Sequence, residues 1–256
     1  MSRRRTAAYG PAARSRIGWP GNSALPKSGR SAAGKRSRRL VGRSNRRVPA
    51  TRRQRAPRRR RLIKKLTDVV AEEAAKHPDK SIEVWATDEH RLGLKPIHRR
   101  VWAPIGERPI ALGHHRYEWL YVTGFVAPAS GETVWYLSNG IDKPFFAKLL
   151  AAFAQTGAGR DRIIVLQLDN AGWHGPENLP VPDGIRLVYQ PPRSPELQPA
   201  ERLWPLVDEP LVNKHFATID DLDAAVAERC CFLLNAQDVI KSHTNFHWWP
   251  KFRNPT

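Results

Sequence analysis

Apolar residues are scattered singly over roughly the first sixty positions and fall into periodic blocks thereafter. Leu62, Leu66, Val69, Val70, Ala74 and Ala75 follow a helical stripe that stops at His77-Pro78, predicting a linking helix over 62–80. Residues 81–88 (S-I-E-V-W-A-T-D) read as a strand with Asp88 at its carboxyl end. Residues 119–127 and 132–138, separated by Pro128-Ala-Ser-Gly131, read as a hairpin. Asp142 has the character of an N-cap and Pro144 of an early helical residue, opening a helix through Phe145, Phe146, Leu149, Leu150 and Phe153. Gly157-Ala-Gly159 stops it. The run R-I-I-V-L-Q-L-D, residues 162–169, is apolar on both faces, as a buried strand requires, and it too ends in an aspartate. A short strand near 186–190, a Pro-rich turn and further helices to about residue 235 complete one α/β domain over 81–256.

Charge divides the chain differently. Residues 1–65 hold 23 of the 43 Lys and Arg and no acid, the first being Asp68, so the rest carries a net −4 out of a total of +19. Residues 1–61 are Arg, Ser, Ala, Gly and Pro with almost nothing to bury. Such a segment cannot offset its ordering entropy, so it reads as a disordered polybasic arm. Three origins fit that composition: an arm gripping phosphates by counterion release, a transit peptide, or a stretch read from a wrong start or frame.

Other classes drop out on similar grounds. No run approaches the ~18–20 apolar residues of a membrane span, and no apolar stretch follows the opening Met-Ser-Arg-Arg-Arg as a secretory signal needs. Cys230 and Cys231 are adjacent and alone, offering neither a disulfide framework nor a metal knuckle. An intracellular setting follows as the expectation.

Chemistry in open α/β sheets sits beyond the carboxyl ends of central strands. Asp88 and Asp169 are placed there, and Glu201, in the first turn after Pro199, can point back at them. Each has a plainer reading: a strand-terminal Asp caps turns, and a first-turn Glu complements the helix dipole. Three carboxylates sharing one cleft, however, repel strongly unless a divalent cation neutralises them. Two hard cations held there would suit phosphodiester chemistry. Glu89 and Glu196 are the nearest competitors in sequence.

Thr87-Asp88-Glu89, Leu94-Lys-Pro-Ile97 and Arg99-Arg-Val-Trp-Ala-Pro104 resemble the opening of the DDE endonuclease domain of bacterial insertion-sequence transposases of the mariner-like superfamily. Leu168-Asp-Asn-Ala-Gly-Trp-His174 and Pro191-Pro-Arg-Ser-Pro-Glu-Leu-Gln-Pro-Ala-Glu-Arg-Leu-Trp204 resemble its second and third motifs. The likeness runs from about Leu62 to the C-terminus. It implies a ribonuclease-H-like fold with a mixed five-stranded sheet flanked by helices. It also implies Asp88, Asp169 and Glu201 as catalytic, metal-binding residues, two Mg²⁺ or Mn²⁺ ions, and cut-and-paste transposition of an insertion sequence. Its implied partners are double-stranded DNA, at element ends and target, and a second copy of the chain in the DNA-bound state. The implied location is the bacterial cytoplasm, in association with the nucleoid.

His174 and Asn170 are accessory candidates, His174 for orienting a water or phosphate, with simple packing an equal alternative. Three positions depart from the family pattern: Gln198 in place of Asn, Arg193 in place of an aromatic, and Pro205, which should kink or restart the catalytic helix. Residues 1–61 show no apolar period for the helix-turn-helix modules that read element ends, so a first quarter truncated or misread is the expectation. An idle DNA-binding remnant and a stand-alone metal nuclease remain the alternative functions.

Arg91, Lys95, Arg99, Arg100, Arg108 and Arg116 are opposed between positions 90 and 116 only by Glu107, and on a hairpin after Asp88 they would form a phosphate-binding edge. A solvated hairpin is the plain alternative. Trp102 and Trp119 read as core residues, with base stacking the sharper alternative. Phe246, Trp248 and Trp249 read as a closing segment docked on the domain.

Overall fold

The structure, a computed structural model, describes residues 52–107, 110, 116–155 and 162–250. Five strands form one sheet: β1 Ser81–Gly93, β2 Trp119–Ala127, β3 Glu132–Ser138, β4 Arg162–Leu168 and β5 Ile185–Tyr189. Their order is β3-β2-β1-β4-β5. β1, β4 and β5 run parallel, while β2 is antiparallel to both β1 and β3. The helices are α1 Arg52–Lys76, α2 Lys143–Gln155, α3 Trp204–Asp208, α4 Ile219–Leu234 and α5 Gln237–Thr244. This is the ribonuclease-H-like arrangement that the motifs implied.

Strand alternation feeds two cores. Ile82, Val84 and Ala86 of β1 join Leu62, Leu66 and Val70 of α1 and the apolar faces of α3, α4 and α5. Trp85 points the other way, into a core with Phe125, Ile164, Leu166 and the Phe146, Leu150 and Phe153 stripe of α2. The β2–β3 hairpin closes at Gly131, whose φ of +84° suits glycine. A Cβ at that position would also collide with the Gln237 carbonyl. Asp142 caps α2 as the sequence predicts, its Oδ1 accepting from the Phe145 amide at 2.8 Å. α4 opens on a capping box between Thr218 and Asp221. Trp249 is buried at the end, with Phe246 and Trp248 packed against the same core.

Three expectations need correction. The helix expected over 62–80 begins at Arg52 and ends at Lys76, so residues 52–61 are helical and not part of a disordered arm. Arg, Gln and Ala favour helix, and the packed half beyond Leu62 lets it propagate upstream. Residues 1–51 lie outside the described residues. β1 does not stop at Asp88 but runs on to Gly93, because β2 continues to pair with it through Gly93↔Trp119. The stretch 94–107, expected on a hairpin, contains no strand. Its Lys-Pro and Ala-Pro steps and its run of charges have no partner strand to satisfy.

Candidate active site

The parallel pairing of β1 with β4 ends at Ala86↔Gln167. Asp88 and Asp169 stand two residues past that pair on their respective chains, at the carboxyl ends of adjacent parallel strands. The third carboxylate is brought there by buried amides. After β5 the chain passes through two 3-10 turns, Pro195–Leu197 and Ala200–Arg202. Gln167 of β4 donates from Nε2 to the Leu197 carbonyl at 2.8 Å, and Gln198 donates from Nε2 to the Thr87 carbonyl at 2.9 Å. These bonds pin the turn across the ends of both strands and set Glu201 at the same edge. Gln198 thus does positional work beside Asp88 in place of the asparagine usual there. Pro205 falls in the first turn of α3, where a missing N–H leaves no helical bond unmade, so the helix restarts there. Glu196 stays in the preceding turn.

The carboxylates feel one another. Burial pushes the Asp88 carboxyl up to about 7, and the charges of Glu89 and Glu201 push the same way against the hydrogen bond from Trp204. That bond runs from Trp204 Nε1 to Asp88 Oδ2 at 2.9 Å. Glu201 is also raised, first by partial desolvation and then by the charges of Asp169 and Glu196, with Arg202 opposing. Glu201 is therefore coupled to both aspartates.

Asp169 differs. Desolvation would raise it, but His174 and the Ala171 amide outweigh that and hold it below the ordinary carboxylate value. Its Oδ1 lies 2.8 Å from His174 Nδ1 and accepts from the Ala171 amide at 2.8 Å. The other ring nitrogen of His174 lies 3.1 Å from Glu89 Oε1. Desolvation would lower the buried imidazole, yet its two carboxylate partners raise it to about 9, so it is an imidazolium at neutral pH. Trp173 Nε1 donates to Glu89 Oε2 at 2.9 Å, and the Tyr189 hydroxyl donates to the His174 carbonyl at 2.6 Å. His174 is thus both packed, against Phe146 at 4.4 Å, and joined to the site.

Alternation along β1 separates the two neighbouring acids, with Asp88 bonded to Trp204 on the α3 side and Glu89 to Trp173 and His174 on the α2 side. Glu89 is thereby a partner of His174. Sequence alone did not assign it that role, although the period of two was available to separate it from Asp88. Trp173 and Trp204 lie inside the second and third motifs, but their hydrogen bonds to Glu89 and Asp88 are not legible there, and Tyr189 carries no local signal.

Asn170 turns its side chain to the Gln190 carbonyl at 2.7 Å, tying the β4 loop to the end of β5. Of the basic candidates, Arg91 is exposed with its guanidinium 4.5 Å from the Trp119 ring centroid. Arg99 pairs with Glu209 at 2.6 Å. Lys95, Arg100 and Arg116 are exposed, and Arg108 lies outside the described residues. Trp102 is fully exposed at 103%, and Trp119 is 37% exposed, so neither is a core residue. Their segment has no second layer to pack against.

The donors present are hard carboxylate oxygens of the kind Mg²⁺ and Mn²⁺ take. Burial and the charges of Glu89 and Glu201 push Asp88 toward its protonated form, and a cation beside it would act in the opposite direction. The residues fit such a cation as donors. Among the described residues, no three His, Cys, Asp or Glu side chains close around a single point. No helix among them is long and apolar enough to cross a membrane.

Comparison with known proteins bears on the fold and the family. The uncharacterized protein y4pE/y4sA of Sinorhizobium fredii (strain NBRC 101917 / NGR234) is 36% identical over 118 residues, covering 46% of this chain and 84% of that protein. The structure resembles that of the Mos1 mariner paired end complex with Mn at a TM-score of 0.51 and 12% identity, over 86% of this chain and 65% of the Mos1 chain. That complex with Mg gives a TM-score of 0.49 at 13% identity, over 87% and 65%. At these identities the likeness is one of fold, and this chain spans about two thirds of the Mos1 chain. The DDE superfamily endonuclease family matches residues 83–223, more than half of the chain and all three carboxylates. The chain belongs to the DDE superfamily endonucleases.

Proposed function

We propose that this endonuclease is a transposase, cutting DNA at the ends of an insertion sequence and joining the freed 3′ end to target DNA. The observation that carries the reading is the coupling of Asp88 and Asp169 through Glu201 at one strand edge, with Asp88 raised to about 7 by burial and by the charges of Glu89 and Glu201. Asp88, Asp169 and Glu201 would hold two divalent ions, Mg²⁺ or Mn²⁺. Bound there, such ions supply a nucleophilic oxygen at neutral pH and charge stabilisation for in-line displacement at phosphorus.

The chain's own groups prepare that site. Trp204 fixes one oxygen of Asp88. His174 and the Ala171 amide fix one oxygen of Asp169. The Gln167 and Gln198 amides hold the turn that presents Glu201. Double-stranded DNA is the substrate, and joining two ends in one complex calls for two copies of the chain on DNA. The Mos1 structure of this fold is itself a paired end complex with Mn. Arg91, Lys95, Arg100 and Arg116 are exposed and available for phosphate contacts, and Arg99 only on release from Glu209.

The test is Mg²⁺- or Mn²⁺-dependent cleavage of a duplex carrying the element's own end, with Asp88→Ala, Asp169→Asn and Glu201→Ala alongside. Groups that act as a unit are strongly non-additive, so each single change should remove about as much activity as any pair, roughly three orders of magnitude or more. End-specific cleavage lost in all three supports a transposase. Metal-dependent but sequence-blind nicking supports a stand-alone nuclease. A normally active Asp169→Asn enzyme rejects the triad.

A further inference from the structure

The two halves of α1 handle charge differently. In the second half, Lys76 Nζ pairs with Glu72 at 2.6 Å, and Glu73 takes Arg186 Nε at 2.9 Å. The first half, R-R-Q-R-A-P-R-R-R-R-L-I-K-K, has no acid at all. Leu62 within it and Leu66 just after it are buried, which turns Arg60, Arg61, Lys64 and Lys65 outward, all exposed. Arg60 with Lys64 and Arg61 with Lys65 are like charges one helical turn apart, each pair opposing the helix by about 0.2–0.5 kcal/mol. Among the described residues no carboxylate pairs with these four.

The location of this row is fixed by a neighbouring contact. Arg58 donates from one guanidinium nitrogen to the Arg193 carbonyl at 3.1 Å and the Ser194 hydroxyl at 3.4 Å. Those residues begin the turn that carries Glu201. Arg193 is itself exposed, in a left-handed conformation with φ of +58°. The cationic half of α1 therefore lies at the carboxyl end of the sheet, on the flank of the catalytic edge, while the paired half lies by the start of β5.

We propose that Arg60, Arg61, Lys64 and Lys65 of α1, continued by Arg193, form a folded phosphate-binding surface that carries the sugar–phosphate backbone of duplex DNA to the edge bearing Asp88, Asp169 and Glu201. Choosing DNA as the polyanion rests on the proposed function. The placement and charge of the surface do not. Successive turns of the helix set cations about 6 Å apart along a straight line, suited to following a backbone and indifferent to base sequence. The surface binds by counterion release, so its signature is salt dependence. It differs from an unstructured arm in being fixed relative to the catalytic edge.

The experiment compares the full-length chain with its Arg60→Gln/Arg61→Gln/Lys64→Gln/Lys65→Gln variant. Affinity for a duplex of arbitrary sequence is measured from 50 to 200 mM salt with divalent metal chelated. A Lys148→Gln/Lys214→Gln/Lys241→Gln variant removes exposed cations elsewhere. Loss of four phosphate contacts should flatten the plot of log K against log[salt] by about 3–4 units, so wild type should lose about a hundredfold more affinity over that range than the variant. The control should retain nearly the wild-type slope, and thermal melting should show all three proteins folded. An unchanged slope in the α1 variant, or an equal flattening in the control, overturns the proposal. Because no cleavage is read, a flattened slope in a protein that never nicks DNA upholds the surface while the transposase reading fails. An unchanged slope in a protein that does nick DNA removes the surface and leaves the transposase reading standing.

Discussion

The two ends of the parallel strands treat their acids in opposite ways. At the amino end Glu83 accepts from Arg162 and, at 2.8 Å, from Trp85 Nε1, and Arg162 also reaches Glu132 at 3.5 Å. Glu73 lies beside Arg186. At the carboxyl end Asp88, Glu89, Asp169, Glu196 and Glu201 gather, and the buried cation among them is His174. Acids that hold the fold have been given arginines by the same chain. Asp88 and Glu201 at the carboxyl end are instead raised by burial and by neighbouring carboxylate charge, which costs stability when they ionise. That electrostatic contrast distinguishes the two ends of the sheet independently of any motif.

The largest break in that pattern should come from His174→Ala. Glu89 is 4% exposed in its side chain, and removing the imidazolium strands it without a charge partner. Breaking a buried pair in this way costs about 3–5 kcal/mol. Denaturant unfolding at pH 7 should show a loss of that size. A loss under about 1 kcal/mol, the range of an exposed pair, would mean that His174 does not hold the carboxyl end together.

Asp88→Asn should act in the opposite sense. The folded carboxyl, raised to about 7, keeps a proton that the unfolded chain releases near its ordinary value. Stability of the metal-free protein therefore falls as pH rises from about 4 through 7, by an amount on the order of 4 kcal/mol at most. Asparagine keeps an oxygen acceptor for Trp204 and removes the charge. In chelator at pH 8 the variant should be the more stable protein, and the two should converge near pH 4. A difference that does not change with pH would show that Asp88 is not strained by its surroundings.

How far the sequence reveals this contrast depends on the range of the interactions. The strands over 119–127 and 132–138 were legible because their apolar blocks and the Pro128–Gly131 turn are local signals, and Ser81, Arg162 and Ile185 open strands close to where patterning placed them. The extension of β1 through Glu89, His90 and Arg91 was not legible, since polar residues there are held as strand only by β2, about thirty positions away. Asp88, Asp169 and Glu201 stood out as strand-end and first-turn acids. What separates them electrostatically did not, because Trp204 reaches Asp88 across 116 positions and His174 reaches Glu89 across 85. The helical state of 52–61 was hidden for a related reason. Composition there argued for disorder, while the Arg58 contact that anchors it lies 135 positions away.

The smallest expected effect tests the amino end. Burial works to raise the Glu73 carboxyl, but the hydrogen bond and charge of Arg186, with help from Lys76, more than offset it and hold the group below its ordinary value. A depressed carboxylate contributes stability that is present above the unfolded pKa and lost as pH falls through the folded one. Arg186 is 36% exposed, so solvent screening limits the contribution to about 1 kcal/mol or less. Glu73→Gln should cost that much at pH 7, and the cost should shrink as acid protonates Glu73 in the folded protein. Over the same descent Asp88 gains a proton and relaxes, so acid should weaken one end of the sheet while relieving the other. Hydrogen exchange resolved by residue can read both ends at once. Amides around Thr87 and Gln198 should gain protection as pH falls from 7 toward 4, after correction for intrinsic rates. Those near Arg186 and the start of β5 should lose it only on further acidification below the ordinary carboxylate range. Parallel loss at both ends would erase the distinction between structural and functional acids in this sheet.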